Sequence, residues 1–423
     1  MKQVNVALIG LGTVGSGVYK TIMMQKDLIE HKDGITLNLK KVLALEYSID
    51  IPAAVKAKDF QKDIIDDDSI DIVIELIGGI TPAKDFILAA LNAGKTVVTA
   101  NKDLLSQHWP ELEHAAQATG AGLYFEASVG GGIPILRTIW DSLQANEITS
   151  VMGIINGTTN YILTKMEEEG SSFKDVLSEA QQLGMAEANP KSDVEGLDAR
   201  YKLSILASMA FHAHVPVEYI HCEGITHITQ EDIMYGSELG YTLKLLAIGK
   251  KRGKSVEARV HPTMIPKTHP LASVRGAFNA IFLHGNIVDD VMLYGRGAGD
   301  MPTASAVVSD VVYAAGRQQH RYTTFYNEYD VSEELSFQNN WESAYFLRII
   351  AQDSPGVLAK ISSVFGKYGV SLESVIQKGQ SEDSVPLIFI THKAKEISMK
   401  QAVDDIKYLP EVLNVANMIR VEN

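Results

Sequence analysis

The residues with the most chemistry within reach of one another lie in a single stretch, Glu187-Ala188-Asn189-Pro190-Lys191-Ser192-Asp193-Val194-Glu195-Gly196-Leu197-Asp198-Ala199-Arg200-Tyr201-Lys202. Asp198 and Lys202 are four apart, which places them on one face of a helix. Carboxylates gathered at a helix start could bind an ammonium-bearing substrate and tune a lysine. The same pattern also suits a capped surface helix with a routine ion pair, worth only a few tenths of a kcal/mol. A second lysine, Lys102, closes Thr99-Ala100-Asn101-Lys102 at the end of a predicted strand. Strand C-termini line the ligand crevice of open parallel sheets, although most lysines are simply solvated.

Gly10-Leu11-Gly12-Thr13-Val14-Gly15 follows an apolar run and opens a helical pattern. Glycines let the chain turn tightly against a pyrophosphate, and the helix N-terminus offers free N–H groups to its charge. An ordinary glycine turn reads the same way, but the N-terminal position and the strand-to-helix context favour dinucleotide binding. The acid that would bind the ribose hydroxyls is Glu46, about thirty residues after Gly15 where about twenty is usual. The polar segment Gln25 to Gly34 accounts for the extra length. A carboxylate there repels a 2′-phosphate and favours NAD, and no arginine stands nearby. A solvated strand-end glutamate is the other reading.

Phe125-Glu126-Ala127-Ser128-Val129-Gly130-Gly131-Gly132-Ile133-Pro134 combines one carboxylate with glycine-rich backbone. Hard oxygen ligands of this kind suit a hard cation, and a tight loop that brings backbone close to a ligand would look alike. His212, His214, His221 and His227 with Cys222 match no closed tetrahedral zinc spacing. Cys222 has no glycine-rich elbow around it and makes a poor nucleophile candidate.

The elements that must position these residues follow from the hydrophobic pattern. Strands are expected at Val4 to Ile9, Leu37 to Leu45, Ile70 to Leu76 and Thr96 to Thr99, with helices at Gly12 to about Ile29 and Pro82 to Ala93. Short β-branched runs alternating with helices predict a doubly wound parallel sheet. From about 123 to 320 glycine clusters break the pattern, and a mixed α+β domain is expected. Its helix around Tyr201, Ile205 and Met209 shows i, i+4 spacing on one face. His320 to Trp341 reads as a polar linker. The tail then runs strand (Tyr345 to Ile350), helix (Val357 to Tyr368), strand (Val370 to Gln377), strand (Val385 to Thr391), helix (Ile397 to Tyr408), strand (Val412 to Ile419), the ferredoxin-like β-α-β-β-α-β order. The domain expectation is 1–125 for nucleotide binding, 126–320 for the mixed α+β domain, 321–342 as linker and 343–423 as a separate compact unit.

The whole-chain numbers agree with an ordinary soluble globular protein. The 423 residues suggest two or three domains, with 46% hydrophobic and 21% charged side chains. A net charge of -14 repels phosphate backbones and argues against a nucleic-acid role. One cysteine excludes an intrachain disulfide and fits a reducing cytoplasm. No apolar stretch approaches the length of a membrane span. The N-terminal apolar run reads as a buried strand rather than a signal peptide, so the acceptor match Asn156-Gly157-Thr158 is taken as accidental.

These segments in this order resemble homoserine dehydrogenase of the monofunctional bacterial type. The carriers are GLGTVG, TANK, EASVGGGIPI (Glu126 to Ile135), GIINGTTNYI (Gly153 to Ile162), DVEGLDARYK ending at Lys202, and GRGAG (Gly295 to Gly299). Asp353-Ser354-Pro355-Gly356-Val357-Leu358 resembles the start of an ACT domain, an amino-acid-sensing module. The resemblance spans nearly the whole chain and implies a Rossmann-type domain, an α+β substrate domain and a ferredoxin-like ACT domain. It implies reversible NAD- or NADP-dependent reduction of L-aspartate 4-semialdehyde to L-homoserine. By the same resemblance Lys202 is the proton donor and acceptor, assisted by Lys102 and oriented by Asp198. A lysine suits that role if burial and a second cation depress its pKa. Glu187 and Asp198 bind the amino-acid end, Asp193 supports the loop, and Gly157 and Thr158 contact substrate. Gly10, Gly12, Thr13, Val14, Gly15, Glu46, Lys102, Gly184, Glu187 and Gly299 are the implied cofactor positions. Glu126 and the carbonyls of Val129, Gly131 and Ile133 match a structural sodium site. Asp353 and Gly356 mark the effector loop, where L-threonine is the expected ligand.

The chain departs from the family where Gly-Tyr-Ala-Glu-x-Asp-Pro becomes Gly184-Met185-Ala186-Glu187-Ala188-Asn189-Pro190, losing a hydroxyl and a carboxylate. Ala44-Leu45-Glu46-Tyr47 also lacks the arginine often found after the second strand. A homodimer or homotetramer is expected, because the second domain offers more sheet surface than one subunit covers. The alternative is an amino-acid-sensing pseudo-enzyme that keeps the fold without turnover. A phosphorylating semialdehyde dehydrogenase would need an activated cysteine, which Cys222 does not supply.

Overall fold

The computed structural model describes residues 1–323, 335–377 and 384–422, so 324–334 of the expected linker lie outside the described residues. The chain begins with β1 (Lys2–Ile9), α1 (Thr13–Asp33), β2 (Ile35–Leu43), β3 (Ile72–Glu75), α2 (Ala83–Asn92), β4 (Thr96–Thr99), α3 (Lys102–Thr119) and β5 (Leu123–Tyr124). The five strands form a parallel sheet in the order β2-β1-β3-β4-β5. Every residue of β3 and β4 is buried, as a sheet covered on both faces requires. α1 ends at Gly34, whose left-handed conformation (φ 67°) stops the helix. β2 stops at Leu43, two residues short of the expected end, and the chain turns there towards the crevice.

After the single turn α4 (Ile135–Arg137) come β6 (Ile148–Ile154), α5 (Gly157–Glu169), α6 (Phe173–Gln182), α7 (Lys191–Val194), α8 (Leu197–Phe211), β7 (His221–Cys222), α9 (Gln230–Glu238), β8 (Tyr241–Arg252), β9 (Ser255–Pro266), β10 (Phe278–Gly285), β11 (Asp289–Arg296) and α10 (Asp300–Gly316). The tail holds β12 (Ser336–Phe337), β13 (Glu342–Ala351), α11 (Val357–Lys367), β14 (Leu372–Gln377), β15 (Val385–Thr391), β16 (Ala394–Lys395), α12 (Glu396–Lys407) and β17 (Val412–Val421).

Two compact units result, neither continuous in sequence. The first comprises Met1–Val151, Tyr201–Tyr219 and Asn279–Leu335. Its core joins the sheet and α1 (Val18, Ile22, Ile29) to α10 (Val307, Val311), so a late helix completes the nucleotide-binding fold. Tyr322 donates its hydroxyl to the Ala121 carbonyl at 2.9 Å, which pins the start of the expected linker to this unit.

The second unit comprises Met152–Arg200, Ile220–Phe278 and Ser336–Asn423. Its strands run β8-β9-β17-β13-β15-β14. The tail's four main strands thus take the order β17-β13-β15-β14, the ferredoxin-like arrangement. α11 and α12 cover one face through Ile361, Phe365, Met399 and Ile406. β17 continues the sheet into β9, which in turn pairs with β8 along its whole length.

α8 carries Tyr201, Ile205 and Met209 as expected, but it is not one-faced. Leu203, Ser204, Leu206, Ala207 and Ser208 are buried as well. The serines are tolerated because Ser204 donates to the Val215 carbonyl at 2.6 Å and Ser208 accepts from the Val215 amide at 2.9 Å.

Candidate functional site

In the first unit, Gly10 to Thr13 bridge the end of β1 and the start of α1. Gly10 has φ 93°, and a Cβ on Gly15 would lie 2.0 Å from the Gly10 carbonyl oxygen. Only glycine lets the helix start fold this closely over the strand end. Gly12 caps α1 with no side-chain bond, which leaves the first-turn N–H groups facing outward. They open onto a cleft of about 1150 Å³ lined also by Glu46, Lys56, Lys58, Leu76 and Pro82. Glu46 stands in this cleft, exposed, beyond β2. Lys56 and Lys58 bring cations to the same cleft, which the sequence alone did not indicate. Lys56 also lies over the Tyr47 ring at 4.6 Å.

The Thr99-Ala100-Asn101-Lys102 segment ends β4 and begins α3, so Lys102 is the first residue of an 18-residue helix. Asn101 caps that helix, accepting from Leu104 N–H at 3.2 Å, and donates its amide to the Gly79 carbonyl at 2.6 Å. Glu75, fully buried at the end of β3, accepts from Thr99 Oγ1 at 2.8 Å and from Ile77 N–H at 2.7 Å. Burial pushes the Glu75 carboxyl up from its ordinary value. Glu75 and Asn101 therefore fix where Lys102 starts, and neither was given a role from the sequence. Lys202 belongs to the same compact unit, on α8, half-buried.

In the second unit one side chain organises the acidic stretch. Asn156 donates its amide to Asp193 Oδ1 at 2.7 Å and to Asp198 Oδ2 at 2.9 Å. Its own oxygen caps α5 by accepting from Thr159 N–H at 2.8 Å. Asp198 is buried and Asp193 half-buried, at either end of the Val194-Glu195-Gly196 elbow between α7 and α8. Asn156, the first residue of the acceptor match taken as accidental, is this cap. Gly157 opens α5, and Thr158 donates its hydroxyl to the Met185 carbonyl at 2.9 Å, drawing the Gly184 to Glu187 loop to the helix start. Gln181 donates to the Glu187 carbonyl at 3.0 Å and leaves the Glu187 side chain exposed. Asn189 accepts from Lys191 N–H at 3.4 Å and so supplies a helix-start acceptor.

The Glu126 loop lies in the first unit. The buried Glu126 carboxylate accepts from the backbone N–H of Leu136 at 2.9 Å and of Arg137 at 2.7 Å. Asp310 on α10 accepts from Glu126 N–H at 2.8 Å and pairs with Arg137. Burial, then the Asp310 charge, pushes Glu126 up to about 7, and burial pushes Asp310 up to about 6. Two buried carboxyls face one guanidinium, a charge balance that a monovalent cation would complete. Of the candidate carbonyls, that of Ile133 accepts from Ile135 N–H at 2.8 Å. Val129 is buried, and the buried Gly131 packs its Cα against the Gly297 carbonyl of the GRGAG loop. Gly299, in that loop, caps α10.

Among the described residues no three His, Cys, Asp or Glu side chains gather closely enough to hold a metal ion. Burial pushes the Cys222 thiol up to about 11, and it donates to the Glu195 carbonyl at 3.3 Å, which suits packing rather than attack. In the tail, Asp353 accepts from Gln377 at 3.2 Å, and Gly356 caps α11 at φ 89°.

Comparison with known proteins covers the same segments. Residues 10–126 match the family model described as homoserine dehydrogenase, NAD binding domain, residues 134–312 match homoserine dehydrogenase, and residues 345–411 match the ACT domain. Homoserine dehydrogenase of Bacillus subtilis is 43% identical, with 100% of this chain and 99% of that protein covered. The crystal structure of a homoserine dehydrogenase from Thiobacillus denitrificans has a TM-score of 0.91 and 38% identity, covering 100% of this chain and 99% of the other. A hyperthermophilic archaeal homoserine dehydrogenase in complex with NADPH has a TM-score of 0.63 and 27% identity, covering 74% of this chain and 97% of the other.

Proposed function

The chain belongs to the homoserine dehydrogenase family, and from that premise we propose how its own residues carry the reversible reduction of L-aspartate 4-semialdehyde to L-homoserine. It is an NAD(P)-dependent oxidoreductase with a C-terminal ACT domain. When bound, the nicotinamide supplies the hydride chemistry at the substrate's C4. Lys202 gives a proton to the substrate oxygen in reduction and takes it back in oxidation, with Lys102 assisting. Asp198, one turn earlier on α8, orients Lys202. Asp198 and Glu187 bind the amino-acid end, Asp193 supports them, and Gly157 and Thr158 line the substrate. The observation that carries this reading is the Asn156 amide holding both Asp193 and Asp198. A surface ion pair has no need of a buried amide that aims two carboxylates.

The cofactor is held at Gly10, Gly12, Thr13, Val14 and Gly15, with Gly184, Glu187, Gly299 and Lys102 as further contacts. The open start of α1 supports phosphate binding there. Glu46 suits the ribose hydroxyls of NAD, and Lys56 and Lys58 in the same cleft suit the 2′-phosphate of NADP, so either cofactor is accepted. Glu126 with the carbonyls of Val129, Gly131 and Ile133 holds a sodium ion whose charge the Glu126–Asp310 pair favours. L-Threonine binds at Asp353 and Gly356 and slows turnover. Unchanged rates at high threonine would remove that claim. No helix among the described residues is long and apolar enough to cross a membrane, and a cytoplasmic location fits this chemistry. The chain works as a homodimer or homotetramer: β11 ends its sheet with Met292 and Tyr294 exposed beside Ile287 and Val288, an apolar edge that a second copy would cover. A monomer mass in sedimentation would sink this.

The deciding experiment follows reduced-nicotinamide absorbance with L-homoserine, comparing NAD and NADP. Turnover with at least one cofactor, lost in Lys202→Ala, is the expected result. A folded protein that binds homoserine or threonine without turnover would overturn it in favour of a sensor.

A further inference from the structure

The last strand of the ACT domain runs into the sheet that frames the substrate acids. β8 occupies one edge of β9 throughout. Along the other edge lie β7, with His221 opposite Arg259 and Cys222 opposite Val260, and then β17, with Arg420 opposite Thr263. This end-to-end arrangement sets Arg420 beside Glu223, the residue after β7. The Arg420 guanidinium is 1% exposed. Its Nη2 donates to Glu223 Oε1 at 2.8 Å, and it pairs with Glu396 at the start of α12. His221 makes a second bond to Glu223, also at 2.8 Å. Burial opposes ionisation of Glu223, but the bonds from His221 and Arg420 outweigh it and hold the carboxyl below its usual range.

The residues on either side of Glu223 grip the elbow between the two substrate acids. Ile225 donates its N–H to the Val194 carbonyl at 2.8 Å. The Cys222 thiol donates to the Glu195 carbonyl at 3.3 Å. Gly224 has no room for a side chain, since a Cβ there would lie 2.2 Å from the Val194 oxygen and 2.5 Å from Glu195 Cα. A Cβ on Gly196 would in turn press on the Cys222 sulfur at 3.2 Å. Residues 222–225 and 194–196 are therefore interlocked backbone to backbone. Asp193 stands just before this elbow and Asp198 just after it.

We propose that Glu223 is a positioning residue for the substrate acids and that Arg420, on the ACT strand, sets where Glu223 stands. A shift of the ACT sheet then reaches the elbow as a change in the spacing of Asp193 and Asp198, and substrate affinity changes with it. The proposal rests on the reading of Asp193 and Asp198 as substrate-binding.

The test uses the full chain and the variants Glu223→Gln, Glu223→Asp and Asp198→Asn. Steady-state rates are measured with homoserine and cofactor varied in turn, beside amide hydrogen exchange over residues 193–198. Glu223→Gln keeps an acceptor for Arg420 but loses the charge. It is expected to raise the homoserine KM about tenfold, to leave the cofactor KM within about twofold, and to speed exchange at 193–198. Glu223→Asp restores the charge and brings KM back towards the parent value. If Glu223→Gln fails to fold, Arg420→Lys replaces it with the same expectation, because one ammonium cannot reproduce the fork that spans Glu223 and Glu396. A folded Glu223→Gln with parental homoserine KM and parental exchange overturns the proposal. So does an equal rise in both KM values, which reports general loosening. Asp198→Asn separates the underlying reading: if it leaves homoserine kinetics untouched, the substrate site lies elsewhere, while exchange at 193–198 still decides the coupling.

Discussion

Replacing Asn156 separates its two roles, because the oxygen caps α5 and the nitrogen serves the acids. Asn156→Ala removes the cap, worth about 1 kcal/mol. It also removes two hydrogen bonds to carboxylates, of about 1.5–3 kcal/mol each. The half-buried Asp193 regains water, so the loss in stability falls short of the sum, at about 2–4 kcal/mol. Asp198 is 8% exposed and regains little. Its carboxylate loses the Asn156 amide bond, and kcat/KM falls about a hundredfold, the equivalent of about 2.7 kcal/mol. Asn156→Ser keeps a capping oxygen but is too short to hold both acids. It should recover only the cap, standing about 1–3 kcal/mol below the parent in stability, and still show the same loss in kcat/KM. The assay is reduced-nicotinamide absorbance with homoserine varied, beside a denaturant melt of each variant. Parental kcat/KM in a folded Asn156→Ser would refute the reasoning, since the cap alone would then account for the residue.

Lys202→Ala should abolish turnover in both directions while cofactor binding, read by quenching of protein fluorescence, stays intact; retained turnover would exclude Lys202 as the proton carrier. Gly15→Ala drives a Cβ to 2.0 Å from the Gly10 oxygen and should weaken cofactor affinity at least about tenfold, which a titration with reduced cofactor checks. Lys244, 1% exposed and donating to Asn160 Oδ1 at 3.0 Å, is held by burial at about 8 rather than 10.5. Between those values the unfolded chain holds the proton and the folded chain does not, so stability rises with pH across that window. Denaturant melts should show the parent gaining up to about 3 kcal/mol on Lys244→Met between the two values; a pH-independent difference would mean that Lys244 is neutral in neither or both states.

What could be read from the chain alone was local. The glycine turn after β1, the parallel order of short β-branched strands and the alternating pattern of the tail all depend on neighbours a few residues apart. The end of β2 was misplaced because Ala44 and Leu45 are apolar, yet the chain there turns out of the sheet, leaving Leu45 fully exposed. The spacing of Tyr201, Ile205 and Met209 names only part of what α8 buries. Periodicity marks one apolar stripe, whereas this helix is covered on several sides and its serines are satisfied by Val215. The partners of the candidate groups were not legible either. Asn156 meets Asp193 across 37 residues, Arg137 meets Asp310 across 173, and Glu223 meets Arg420 across 197.

The sequence by itself determined the kind of elements, the glycines that a close approach demands, and a set of chemically able side chains. Those follow from backbone sterics and hydrophobic periodicity, which act over a turn or a strand. Only the tertiary structure decided that the Asn156 amide aims two acids, that Glu126 shares its burial with Asp310, and that Arg420 on the ACT domain's last strand meets Glu223. Burial and charge pairing belong to neighbours in space, and the fold alone chooses those neighbours.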